Sequence, residues 1–321
     1  MHNLSASEKK DIYNSFLTAN YWWLLLSIFF GVVSHYSRAI RWKILLEPMG
    51  YKPSTRNTFM AVMIAYFANL ALPRLGEVTR CGVLARYEKI PFSKSFGTVI
   101  TERGIDLITL VLVFIANFFI HIDKFELFKN TSIIKKLAGK FDHLENPGII
   151  YWVTGGIFLL VLLLFIKFRH KISHTQIYKK VKEIVLGFYE GIKSLTKIKK
   201  PFWFIFHSVF IWVMYLLMTW TAFLCLPETA NLSLDIALAV LVFGSIGIVV
   251  VQGGIGIYPW IVAEILVLFL VPSTKGYAMG WLLWTGQTLT IVTLGILSLS
   301  LLPILNKNRN ELPGDQPKEN S

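Results

Sequence analysis

Between residues 69 and 106 the chain gathers polar groups that could do chemistry: Asn69, Pro73, Arg74, Gly76, Glu77, Arg80 and Arg86, then Glu102, Arg103 and Asp106. Glu77 and Arg80 are three residues apart, as are Arg103 and Asp106, while Glu102 and Asp106 are four apart. On a helix those spacings share a face. A guanidinium fork matches two phosphate oxygens, so Arg74, Arg80 and Arg103 are candidates to hold a phosphate, with Asn69 beside them. Glu77, Glu102 and Asp106 either balance those cations or take up protons during a transport step. Two readings stand: an ion-pair cluster that pins a short segment, and a polar vestibule for a lipid headgroup.

Two further groups carry weaker signals. Gln252-Gly253-Gly254-Ile255-Gly256 interrupts an apolar stretch. Free N–H groups at a helix start attract anions, which makes Gly253, Gly254 and Gly256 candidates for headgroup contact. Close helix packing is the alternative. Arg38, Arg41 and Trp42 stand where an apolar run is expected to meet water, and read as interface anchors, snorkelling cations beside an aromatic belt. The Gly-rich run is not a nucleotide loop, because no Lys-Ser or Lys-Thr follows it. The histidines are scattered, and Cys81 and Cys225 lie far apart without metal-type spacing, so no metal or other cofactor is expected.

The elements that must position these groups are membrane helices. Of 321 residues, 54% are hydrophobic and only 16% charged, and the mean hydropathy is +0.56. Soluble domains carry about 25% charged residues. Apolar runs cover about 20–37, 57–73, 96–121, 149–168, 202–226, 235–252, 255–271 and 277–305, and a helix of ~20 apolar residues crosses the hydrocarbon core. The expected fold is an all-α membrane bundle of about seven or eight segments. Glu102, Arg103 and Asp106 are expected at the start of a helix, in the interface. The net charge of +13 falls between apolar runs, so it reads as topology signal and contact with anionic lipid rather than nucleic-acid binding.

Residues 38–56 and 73–95 each hold five Lys or Arg, 167–200 hold ten, and the tail after 305 holds three. All belong on the cytoplasmic side by the positive-inside rule. That requires 57–73 to dip in and return, as a re-entrant segment. Residues 1–19 form a polar segment on the other side, 177–200 a basic amphipathic helix on the cytoplasmic surface, and 306–321 a disordered cytoplasmic tail. Each half of the chain then contains one Gly- or Pro-broken segment, a pairing that in transporters points to the binding site.

Four of these stretches together resemble a known family. Ser37-Arg38-Ala39-Ile40-Arg41-Trp42-Lys43-Ile44-Leu45-Leu46, Asn69-Leu70-Ala71-Leu72-Pro73-Arg74-Leu75-Gly76-Glu77-Val78-Thr79-Arg80, Glu102-Arg103-Gly104-Ile105-Asp106 and Gly253-Gly254-Ile255-Gly256 are similar, in order and spacing, to the motifs of the lysylphosphatidylglycerol synthase transmembrane region. Its members are also called flippase-like or UPF0104 membrane proteins. The resemblance covers roughly residues 20–305. It implies a bacterial cytoplasmic-membrane location and a module that moves an anionic or aminoacylated phospholipid between leaflets. In such relatives a separate cytosolic domain makes that lipid, so a lipid-modifying enzyme is an implied partner. The alternatives are a membrane transferase on a lipid-linked substrate and a non-catalytic subunit of an envelope-lipid complex. Two departures are Gln252 and Pro259, where many members have proline before the glycine pair and an acid shortly after it. Members also commonly carry one more helix before the Arg-Trp helix, so a shortened start is expected.

Overall fold

The structure is a computed structural model and describes residues 5–122 and 198–307. The expected segment at 149–168, most of the helix at 177–200 and the tail beyond 307 lie outside the described residues. Within them the fold is all-helical, and four helices are long and apolar enough to cross a membrane. The chain is a multi-pass membrane protein.

The polar segment near the N-terminus is built around helix α1 (Ala6–Thr18), opened by a capping box between Ser5 and Glu8. Helix α2 (Tyr21–Leu46) follows, with Asn20 capping the Trp22 N–H. It runs unbroken for 26 residues, so the expected end near residue 37 is too early: Arg38, Arg41 and Trp42 are inside the helix. Helix α3 (Thr55–Ala71) and helix α4 (Leu75–Glu88) come next, then helix α5 (Phe92–Ile120). Because α5 starts at Phe92, Glu102 and Asp106 lie well within it rather than at its mouth. The second half supplies α6 (Pro201–Phe223), α7 (Leu234–Val250), α8 (Ile257–Val267) and α9 (Ser273–Leu305).

Helices α3 and α4 form an antiparallel hairpin, turning at residues 72–74. At its open end the Asn57 amide donates to Glu88 Oε1 at 2.7 Å, and Glu88 also accepts from the Ser54 hydroxyl. At its closed end the Gly76 N–H donates to Asn69 Oδ1 at 2.7 Å. Gly76 permits this approach, since a Cβ there would collide with the Ala65 carbonyl and the Asn69 side chain. The expected re-entrant stretch is therefore the outward limb of a hairpin whose return limb is α4.

A second hairpin joins α7 to α8 through residues 251–256, where Gly253, Gly254 and Gly256 all have positive φ. Here the glycines do conformational work that side chains resist. Along its length Gly244 and Gly247 of α7 sit against Tyr258 and Ile261 of α8.

The two hairpins approach helix α9 from opposite ends. Asn57, at the open end of the first, exchanges reciprocal amide hydrogen bonds with Asn306 at 2.8 and 3.0 Å. From there α3 climbs α9 past Gly295, where Phe67 packs. The second hairpin lies against the other end of α9, with Ala263 on Gly276 and Pro259 on Gly280. Its tip reaches Trp284, whose indole N–H donates to the Gly253 carbonyl at 2.7 Å. Both tips thus stop near the middle of α9.

Helices α2 and α6 are antiparallel as well, from Asn20 N–H to the Cys225 carbonyl at one end to Ser37 with His207 further along. The order long helix, hairpin, long helix is repeated in the two halves with reversed direction. The two halves are thus inverted repeats of one another.

Candidate functional site

Two polar centres arise from this framework. The first is an enclosed ion-pair network between α2, α4 and α5. Arg38 contacts Glu102 and Asp106 at 2.9 and 2.6 Å, Arg41 contacts the same two acids at 3.1 and 2.6 Å, and Arg80 contacts Glu102 at 3.0 Å. The Arg41 and Glu102 side chains are 0% exposed. Trp42 is also fully buried; its indole donates to Thr98 Oγ1 at 2.9 Å and its ring lies 4.5 Å under the Arg80 guanidinium.

These positions correct two expectations. Arg38, Arg41 and Trp42 are not interface anchors, because helix α2 carries them inward to carboxylates that neutralise them. Arg80 is not free to hold a phosphate, because Glu102 and the Trp42 ring already occupy it. The ion-pair reading, offered as an alternative for the whole polar cluster, describes Glu102, Asp106 and Arg80.

The second centre is a groove of about 660 Å³ where the two hairpin tips meet. Tyr66, Asn69, Pro73, Arg74 and Glu77 line it from the first hairpin, Arg103 from α5, and Ile248 and Gly253 from the second hairpin. Trp284, Gln287, Thr288 and Ile291 complete it from α9. Leu70 and Gly253 bring the tips together, a Cβ on Gly253 falling 3.9 Å from the Leu70 side chain.

Within the groove Arg103, 42% exposed at its side chain, pairs with Glu77 at 2.9 Å. The second oxygen of Glu77 is buried without a hydrogen-bond partner. Arg74 is exposed at the hairpin turn and adopts a left-handed backbone, φ 64°. That conformation is uncommon outside glycine and costs a long side chain of order 1 kcal/mol. The groove thus offers one tethered cation, one uncommitted cation, one acid and several neutral donors.

Of the expected headgroup contacts, Asn69, Arg74, Arg103 and Gly253 line the groove, with Glu77 among the acids. Gly254 and Gly256 do not. Gly254 is buried between Ile248 and Tyr258, where a Cβ would stand 3.0 and 3.2 Å from them. Gly256 is exposed and serves the turn before α8.

Sequence reasoning missed Tyr66, Trp284, Gln287 and Thr288. Trp284 and Gln287 are three apart on one face of α9, but in an apolar helix that spacing carried no motif. One signal was present: Gly276 and Gly280 in α9 are four apart, the small-residue spacing that brings helices together, and they seat the second hairpin.

Comparison with known proteins agrees with the architecture. The sequence model of the lysylphosphatidylglycerol synthase TM region matches residues 5–296. A UPF0104 membrane protein of Methanocaldococcus jannaschii is 25% identical over 218 residues, which is 65% of this chain and 63% of the relative. The glycosyltransferase AglD of Haloferax volcanii is 32% identical over 80 residues, 25% of this chain and 13% of that protein. The match therefore spans less than two thirds of the archaeal UPF0104 protein and a small part of the glycosyltransferase. No solved structure matches the chain. With a family match running almost the length of the sequence, the chain belongs to the lysylphosphatidylglycerol synthase TM region family.

Proposed function

We propose that the protein moves phospholipid headgroups between leaflets through the groove at the hairpin tips. The observation that carries this reading is the meeting of two opposed hairpin tips beside Arg74 and the Arg103–Glu77 pair, halfway along α9. Headgroup transfer requires a polar stop at the middle of the hydrocarbon, where an unshielded charge is costly. Arg74 receives the phosphate, because it has no carboxylate partner among the described residues. Arg103 stays with Glu77 until a headgroup competes for one of them. The acyl chains remain in the bilayer outside the groove.

The two repeats hold their tips by contacts at equivalent places. Arg103 is the twelfth residue of α5 and grips Glu77 at the first tip; Trp284 is the twelfth residue of α9 and grips Gly253 at the second. Releasing one contact at a time would expose the groove first to one side and then to the other. The open end of the first hairpin carries Lys52, Arg56, Lys89 and Lys94, whereas the opposite end has Glu8, Asp11, Glu228 and Asp235 among few lysines. By the positive-inside rule the first end, with the C-terminus, is cytoplasmic. A bacterial inner membrane and an aminoacylated lipid are the location and cargo implied by the family resemblance.

The test is transbilayer movement of a labelled phosphatidylglycerol in proteoliposomes. Wild-type protein should speed it well above protein-free vesicles, and Arg74→Gln should slow it at least tenfold. Equal rates with and without protein reject the proposal.

A second reading is a transferase acting on a lipid-linked substrate, supported by the short similarity to the glycosyltransferase AglD. Loss of a lipid species from a deletion strain, with sidedness of the remaining lipids unchanged, would favour it.

A further inference from the structure

Away from the groove, a cleft of about 370 Å³ opens where α2 ends and α6 begins, lined by Ile40, Lys43, Ile44, Glu47, Tyr51, Lys52 and Lys200. It lies on the basic side of the molecule, beside the open end of the first hairpin. We propose that this cleft binds the headgroup of an anionic phospholipid at the membrane surface, as a site separate from the groove. The inference does not depend on the transport reading.

The argument is one of chemical layering. Ile40 and Ile44 are one helical turn apart on α2 and form an apolar wall. Lys43, Lys52 and Lys200 surround the polar part, against the single carboxylate of Glu47. Lys200 reaches Glu47 only at 3.4 Å, and both are solvent-accessible, so that pair is easily exchanged for a phosphate. Lys43 uses one donor on Thr55 Oγ1 and retains two. Lys52 is exposed and has no partner among the described residues. Tyr51 adds a phenol at the rim, with the Lys94 ammonium 5.8 Å over its ring.

Lysine is a flexible point charge and suits a phosphate that arrives in several orientations. Basic residues at the cytoplasmic surface of a membrane protein attract anionic headgroups within a Debye length. The isoleucine wall below the lysines separates a lipid from a soluble phosphate: only a lipid has acyl chain to lay against it.

The experiment is native mass spectrometry of the full chain in detergent, titrated with phosphatidylglycerol, phosphatidylcholine or inorganic phosphate. Wild-type protein should retain phosphatidylglycerol at least tenfold better than phosphatidylcholine. The K43Q/K52Q/K200Q triple variant should lose that preference by fivefold or more, and the corresponding arginine variant should keep it. Because the groove can also hold lipid, the comparison is repeated in an Arg74→Gln background, where the loss caused by the three lysine substitutions should persist, so failure here and failure of the transport reading are separable. Should the triple variant fold poorly by thermal melting, Lys52→Gln alone should still lower retention at least twofold. Unchanged retention in the glutamine variants overturns the proposal, and so does displacement of the lipid by millimolar inorganic phosphate.

Discussion

At the scale of single residues, the arginines divide by their partners. Arg38, Arg41 and Arg80 face Glu102 and Asp106 in a site with almost no exposure, so their charge is structural. Removing one partner of a buried ion pair leaves the other uncompensated, at a cost of about 3–5 kcal/mol. Glu102→Ala, which leaves Arg80 without its carboxylate and Arg38 and Arg41 with Asp106 alone, should therefore lower the thermal midpoint in detergent by several degrees or prevent folding. Arg103→Ala touches only a half-exposed pair and should change the midpoint little. Arg74 sits between these cases. Its left-handed backbone suits glycine, so Arg74→Gly should raise stability by up to ~1 kcal/mol while reducing lipid movement. Opposite signs in melting and transport would mark Arg74 as kept for function against its own backbone preference.

At the scale of elements, the two hairpins are held by contacts of different chemistry at matching places. Glu77→Gln should weaken the ionic grip of α5 on the first tip, and Trp284→Phe should remove the hydrogen bond from α9 to the second. With a cysteine at Thr288 as reporter, Glu77→Gln should raise labelling by an impermeant maleimide from the cytoplasmic side, and Trp284→Phe from the opposite side. The same shift from both variants, or none, would remove the two-gate description. Helix α1 offers a separate test. Its Asp11 accepts from the Thr274 hydroxyl and lies 3.1 Å from Lys275, and those two neighbours hold the carboxylate below its ordinary range, the hydroxyl first. A depressed folded pKa means the contribution is complete above the unfolded value of ~3.9 and is lost as pH falls through the folded one. A distance label spanning Ser7 and Asn231 should therefore stay constant from pH 7 to about pH 4.5 and lengthen only below the folded value. Release between pH 5 and 6 would contradict this.

At the scale of the whole molecule, the reversed repeat sets where polar groups can meet. The limbs of both hairpins are short: the longer one in each, α3 and α7, has 17 residues, or about 25 Å of helix, against a ~30 Å hydrocarbon core. Entering from opposite ends of α9, they close the distance between them and leave the groove in the middle. Gly76→Leu, which drives a large side chain into the α3 backbone, should splay the first hairpin. It should abolish transport, and the splay should be read as faster maleimide labelling of a cysteine placed at Leu72.

Composition and apolar runs alone determined that this is a helical membrane protein, because long charge-poor stretches have no stable place in water. Basic stretches on either side of 57–73 led to the expectation of a segment that dips in and returns; the turn lies at 72–74, and residues 75–88 are the return limb. The motif order placed the chain in its family. Only the tertiary structure decided which arginines are spoken for. On paper Arg80 reads like Arg74 and Arg103, and Arg38 and Arg41 read as interface anchors, but helix α2 runs nine residues past the expected boundary and carries those two to acids on α5. The groove's far wall was equally hidden, because Trp284 and Gln287 become polar lining only when two glycine-seated hairpins stop beside them. Spacing along a chain fixes which side chains share a helix face. Which face meets which partner is set by packing between helices far apart in sequence.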